Sequence, residues 1–148
     1  MNLWLPFLAA GIRVVRISAE YREVDVELRS GWLNMNYFGT HFGGSMFAMT
    51  DPFFAVMLMN ILGRDYTIWD KAASIDFIRP GEGRLTARFR ITDAMLADIA
   101  ANTRQNGDKY LPAWPVEITD AGGGLVARVE KTLYIRRRKD DRKHIGGG

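Results

Sequence analysis

Cysteine is absent from this chain of 148 residues, and histidine occurs twice, as His41 and His144. Neither a disulfide nor a thiolate metal site can form, and the absence fits a reducing compartment, so a cytoplasmic location is expected. Two histidines are too few for a histidine-built zinc site, and no metal is expected. A serine–histidine–aspartate triad would have to use one of them. His144 falls in a polar tail, which leaves His41. Met1 to Ala10 is apolar but lacks a basic leading region and carries Pro6, so it does not read as a secretory signal. A strong charge imbalance is also missing. The net charge is +3, and much of the excess sits in Arg136-Arg137-Arg138-Lys139 and Arg142-Lys143. A basic run can bind nucleic acid or an acidic membrane. The plainer expectation is a solvated terminus, and no nucleic-acid partner is expected.

What the chain does have is a large apolar fraction, 47%, in a length typical of one domain. We expect a single domain over 1–148, with a core from about residue 12 to 137 and a polar tail from 138 to 148. Ser45 to Leu62 approaches the length of a membrane-spanning helix. It carries Asp51 and Pro52 near its middle, and a carboxylate there would cost about 2.5–3.5 kcal/mol in lipid. A buried core helix is therefore expected, and no membrane partner.

Along the chain, Asn2 to Ala10 reads as a short helix ended by Gly11. Ile12 to Ile17 is β-branched. In Tyr21 to Arg29, Val24, Val26 and Leu28 alternate with Glu23, Asp25, Glu27 and Arg29, as in a strand with one wet face. Ser30 to Gly44 reads as a glycine-containing loop, followed by the apolar helix Ser45 to Leu62 and a stop at Gly63. Strands are expected at Lys71 to Arg79, Arg84 to Thr92, Tyr110 to Thr119 (interrupted by Pro112 and Pro115) and Leu125 to Arg137. A second helix, Ala94 to Thr103, has Asp93 available as its cap. The connections between strands are mostly too short for parallel crossovers. The fold class is therefore α+β: a largely antiparallel sheet around one apolar helix.

The segment Asn36 to Asp51, NYFGTHFGGSMFAMTD, carries the candidate chemistry. Gly43 and Gly44 immediately precede a helix, where backbone N–H groups lack intrahelical partners. Having no Cβ, they let a ligand approach, and the helix dipole adds partial positive charge. Such a site can hold a carbonyl oxygen that becomes an oxyanion. About two turns on lies Asp51, the only carboxylate in the apolar run. It can serve as a general base toward water or as a nucleophile. The residue types support a structural role equally: Asp51 precedes Pro52, and proline favours the first position of a helix, so Asp51 could be an N-cap. If the helix instead starts at Gly44, Pro52 must kink it.

Asn36, Gly39, His41, Gly43-Gly44 and Asp51 resemble the N-x-x-G-x-H-G-G motif and helix aspartate of hotdog-fold thioesterases of the phenylacetyl-CoA type. Ser74 to Ile91, SIDFIRPGEGRLTARFRI, is similar to the family's central strand, turn and following strand. The G-T-H-F-G-G signature resembles a branch of unassigned function. The resemblance covers roughly Ile12 to Arg137. It implies a hotdog fold, sheets paired edge to edge in a homodimer or homotetramer, and an acyl-thioester site at the dimer interface. The substrate would be a thioester of coenzyme A or acyl carrier protein, with no separate cofactor. By position, Asp51 would be base or nucleophile, Asn36 would orient water or thioester, and Gly44, helped by Gly43, would donate to the carbonyl. His41, Phe42 and Ser45 would lie along the substrate. Phe42 departs from the pattern, standing between His41 and Gly43, and so does Pro52 after the aspartate.

Three readings follow: a thioester hydrolase, a domain binding an acyl or aryl ligand without catalysis, and, ranked last, a dehydratase. His41 is equally readable as a hydrogen-bonded structural histidine. Asp70-Lys71 reads as a surface pair at the start of a strand, with an interface or ligand contact as the alternative. Ile75 and Phe77 read as buried, with Asp76 facing outward. Trp69, Trp114, Phe53 and Phe54 read by default as core residues with the capacity to line an acyl pocket.

Overall fold

A computed structural model describes residues 2–104 and 108–138. Most of the basic tail, including His144, lies outside the described residues. Helix α1 (Leu5–Ala10) ends at Gly11, whose φ of 74° is the left-handed conformation that favours glycine. Strands β1 (Ile12–Ile17) and β2 (Glu23–Leu28) form a hairpin, followed by a loop, α2 (Gly43–Ala48), α3 (Phe53–Leu62) and a short 3-10 turn. Then come β3 (Tyr66–Phe77), β4 (Leu85–Arg90), α4 (Asp93–Asn102), β5 (Lys109–Tyr110), β6 (Ala113–Thr119) and β7 (Leu125–Arg137). All pairings are antiparallel, and the sheet order is β1-β2-β4-β6-β7-β3, with β5 also on β7.

The alternation in sequence translates directly into burial. Val24, Val26 and Leu28 of β2 and Leu85, Ala87 and Phe89 of β4 all point into the core. On the opposite face of β2, Glu23 and Asp25 pair with Arg16 and Arg90, and Glu27 with Arg29. The sheet wraps α3, whose Phe53, Phe54, Ala55, Met57 and Leu58 are buried. Phe89 sits between Phe53 and Phe54, with ring centroids 5.1 Å from each. Trp114 packs edge-on against Phe54 at 5.2 Å. These contacts bind helix and sheet into the antiparallel α+β arrangement read from the sequence.

Several details differ from the sequence reading. The expected continuous helix Ser45 to Leu62 is two helices. Met49, Thr50 and Asp51 still donate backward to Ser45, Phe47 and Ala48, but Pro52 has no N–H to continue the ladder and its ring excludes the next helical turn. The chain restarts at Pro52, whose carbonyl accepts from Val56. Asp51 is therefore not the N-cap of α3. Thr92, not Asp93, caps α4: its hydroxyl accepts from the Met95 amide at 3.2 Å, while Asp93 pairs with Arg22. Leu111-Pro112 separates β5 from β6, and the Pro112 carbonyl accepts from Leu133 to carry the ladder across the break.

Strand β3 begins five residues earlier than expected and forms one edge of the sheet. Phe77 is consequently 53% exposed, not buried. Its face turns toward the core side, opposite Ala127, but no further strand covers that edge among the described residues. A β-bulge at Asp70–Ala72 shifts the register with β7. Asp70 lies opposite Leu133 and Ala73 opposite Lys131, so both face inward although three residues separate them.

Because Phe89 joins both aromatic residues of α3, Phe89→Ala should lower unfolding free energy by about 3–5 kcal/mol. A urea melt followed by circular dichroism measures it, with unchanged slope marking an unaltered fold.

Candidate active site

Helix α2 sorts the candidate residues by face. Gly44, Phe47, Ala48 and Asp51 fall at intervals of three and four and line one cleft of about 360 Å3 against Asp70 to Ala73 of β3. Gly43 and Met46 share the other face and line a second cleft of about 440 Å3 with Asn36, His41, Phe77 and Arg79. Within one chain, Asp51 and Gly44 are thus together, while Asn36, His41 and Gly43 are on the far side of the helix. Ser45 is buried and lines neither cleft.

The loop before α2 is shaped by its own side chains. The Asn36 carboxamide oxygen accepts from the amides of Phe38 at 2.9 Å and Thr40 at 3.2 Å, and its NH2 donates to the Thr40 hydroxyl at 2.9 Å. Asn36 therefore builds a turn. His41 is buried. Its Nε2 lies 2.6 Å from the Gly83 carbonyl, which can only accept, so Nε2 carries the proton. Its backbone N–H donates to Gly81, and Nδ1 is buried without a partner. His41 thus clamps the loop to the turn before β4. On the same rim, Arg79 donates to the Leu125 carbonyl and to Asp120. Asp120 also accepts from Gly122 and Gly124, and Arg79 first, then these amides, hold its carboxyl below the usual range.

The glycines let two aromatic rings lie close to the backbone. A Cβ on Gly43 would stand 2.9 Å from Cζ of Phe77, and one on Gly44 would overlap the Phe42 ring. Phe42, the departure from the family motif, lies over Gly44 while keeping 58% exposure.

The most consequential partner of Asp51 comes from β7. Lys131 is 2% exposed, and its Nζ lies 3.1 Å from Oδ1 of Asp51 and 3.2 Å from Oδ2 of Asp70. Asp51 stands at the cleft mouth, with its side chain 57% exposed, whereas that of Asp70 is 15% exposed. Two ionised carboxylates cannot hydrogen-bond each other, but a protonated Asp70 can donate to Asp51. Burial, then this hydrogen bond, push Asp70 up to about 6 against the opposing pull of Lys131. Burial also raises Asp51, but the hydrogen bonds from Asp70 and Lys131 and the lysine charge outweigh it and hold Asp51 below its ordinary value. The exposed carboxylate is thus kept ionised, and the buried one takes the first proton.

Lys131 was not singled out from the sequence, and Asp70 only within a pair whose lesser reading was an interface or ligand contact. Lys131 did leave a signal: Ala127, Val129, Leu133 and Ile135 share the buried phase of β7, and residue 131 falls on it. Asp70 left none. The bulge reverses the phase of β3, so the reading of Asp70-Lys71 as a surface pair fails for Asp70, while Lys71 is exposed.

The folded-state carboxyl of Asp70 titrates above its unfolded value. Its contribution to stability is therefore full below the ordinary aspartate range and lost as pH rises through about 6. Asp70→Asn should flatten this segment of the stability–pH curve. Lys131→Met removes the counter-ion and should steepen it, destabilising more at pH 8 than at pH 5, toward the roughly 3–5 kcal/mol of a broken buried pair. Thermal melts across pH check both; parallel curves for all three proteins would contradict the assignment.

Comparison with solved structures places this architecture. PA5026 from Pseudomonas aeruginosa, a protein of unknown function and probable thioesterase, matches with a TM-score of 0.76 at 18% identity, over 93% of this chain and 91% of that one. The thioesterase HI1161 from Haemophilus influenzae matches at 0.67 and 15%, over 95% and 88%. The E. coli PaaI protein from the phenylacetic acid degradation operon matches at 0.61 and 21%, over 96% and 85%. No curated protein matches the sequence. The fold is that of the hotdog thioesterases, and a family model covers residues 1–135: the chain belongs to the family described as domain of unknown function DUF4442.

Proposed function

We propose that this protein hydrolyses a small or medium acyl thioester carried on coenzyme A or an acyl carrier protein, with Asp51 activating the water. The observation that carries this reading is the Asp51 carboxylate. It pairs with Lys131 at the mouth of a cleft, is held below its ordinary value by Asp70 and Lys131, and lies on the same helix face as Gly44. An ionised carboxylate beside an acyl carbon can take a proton from water or attack directly. The Gly43 and Gly44 N–H groups open α2 and are suited to a carbonyl oxygen.

We further propose that the working form is a homodimer or a pair of dimers. The twelve-residue strand β3 offers a long unpaired edge among the described residues, with Trp69 and Phe77 exposed along it. Such edges are ordinarily covered. Pairing two copies there would join the Asp51 cleft of one chain to the Asn36, His41 and Gly43 cleft of the other. This accounts for their separation in a single chain.

The position of Phe42 favours a second reading, ligand binding without catalysis, because its ring lies over Gly44. A panel of acyl-CoA thioesters separates the two. Hydrolysis predicts thiol release that Asp51→Asn reduces by about 10²-fold or more with the melting curve preserved. Saturable binding with no thiol release in the unaltered protein favours the ligand-binding reading, and full activity in Asp51→Asn removes Asp51 from the mechanism. Sedimentation should give at least a dimer; a monomer at working concentration contradicts the shared site.

A further inference from the structure

The cluster beside Asp51 holds more groups than a single base requires. Lys131 is almost wholly buried yet has two carboxylates within 3.2 Å. Both oxygens of Asp70 are shielded from solvent, and Lys131 is the cation beside them, 3.2 Å from Oδ2. Burying a carboxylate in this state is costly. A strand bulge is needed to turn Asp70 inward at all. The charged groups facing Asp70 are Asp51, from the break between α2 and α3, and Lys131 from β7; its own strand adds Lys71, which lines the cleft.

We infer that Asp70 is the positioning residue that stores the proton Asp51 takes from water, with Lys131 holding the two carboxylates together. This rests on the reading of Asp51 as base. As the water oxygen bonds to the acyl carbon, the carbonyl π pair moves onto oxygen and the water proton moves to Asp51. It shares that proton with Asp70, whose carboxylate is held on the same Lys131 ammonium. Collapse restores the carbonyl and breaks the carbon–sulfur bond, and the stored proton passes back through Asp51 to the thiolate sulfur. Water and thioester become acid and thiol, and the pair ends in the state in which it began. Asp70 does not touch substrate. It keeps Asp51 from holding the whole proton during the step, and Lys131 offsets the second negative charge while the store is empty.

The store is empty only when Asp70 is ionised, so the acid limb of kcat/KM should fall near pH 6 in the unaltered protein. Asp70→Asn should leave KM within about twofold, lower kcat by roughly tenfold or more, and move the acid limb down toward the ordinary carboxylate range, where Asp51 alone governs it. Lys131→Met should lower kcat, and Lys131→Arg should restore part of it by keeping the charge. Carbon-13 NMR titration of the aspartate carboxyls reads the same pair without turnover: one resonance titrating near 6 in the unaltered protein should be absent in Asp70→Asn. Should Asp70→Asn not fold, Asp70→Glu keeps the carboxyl and should retain the upper acid limb at reduced kcat. Turnover in the unaltered protein with unchanged kcat and pH profile in the folded Asp70 variant overturns the relay alone. No turnover on any thioester overturns hydrolysis itself, and the relay with it.

Discussion

An ammonium group in the middle of a central strand cannot be desolvated without compensation. Removing a charge of that size from water costs several kcal/mol even after relaxation. Lys131 recovers this from two carboxylates, one delivered by a break in the helical segment and the other by a bulge in the edge strand. The three charges therefore constrain three elements at once: β7 supplies the lysine, the α2–α3 junction must present Asp51, and β3 must turn Asp70 inward. A slip by one residue in either ladder would put Lys131 on the opposite face and leave the acids unpaired.

The helix break gains its significance from that constraint. A continuous helix through residues 45 to 62 would satisfy the apolar pattern and keep the backbone ladder intact. Pro52 forbids it, and the two helices that result have distinct environments. Helix α3 is the buried centre of the domain, gripped by Phe53, Phe54 and the sheet aromatics. Helix α2 is shorter and lies between two clefts, so that each of its faces presents functional groups to a different space. A local break in regular structure beside a well-packed core is a common arrangement at functional sites.

His41 and Asn36 illustrate how motif residues acquire structural work. Asn36 satisfies the amides of its own turn, and His41 bonds the carbonyl of Gly83 across the loop. Both shape the loop that leads into Gly43 and Gly44 at the start of α2. Their position on the cleft away from Asp51 would give the proposed pairing of β3 edges a chemical purpose beyond the burial of exposed aromatics.

The strand phases of β2, β4 and β7, the two glycine stops and the α+β class were legible because each depends on local periodicity and backbone geometry. Asp51 stood out as the one carboxylate in an apolar run, and even Lys131 was marked by falling on the buried phase of β7. The sequence alone thus determined which segments form most of the sheet, which face of β2, β4 and β7 is apolar, and where an anion sits beside a glycine-led helix. It could not turn Asp70 inward, because a single extra residue in β3 inverts the phase and that insertion is defined only by pairing with β7. Nor could it say which candidates share a cleft. Only the tertiary structure decided that Asp51 meets Lys131 eighty residues away and that Asn36 and His41 face elsewhere, since charge pairing across the core depends on strand register and helix rotation, neither of which is a local property of the chain.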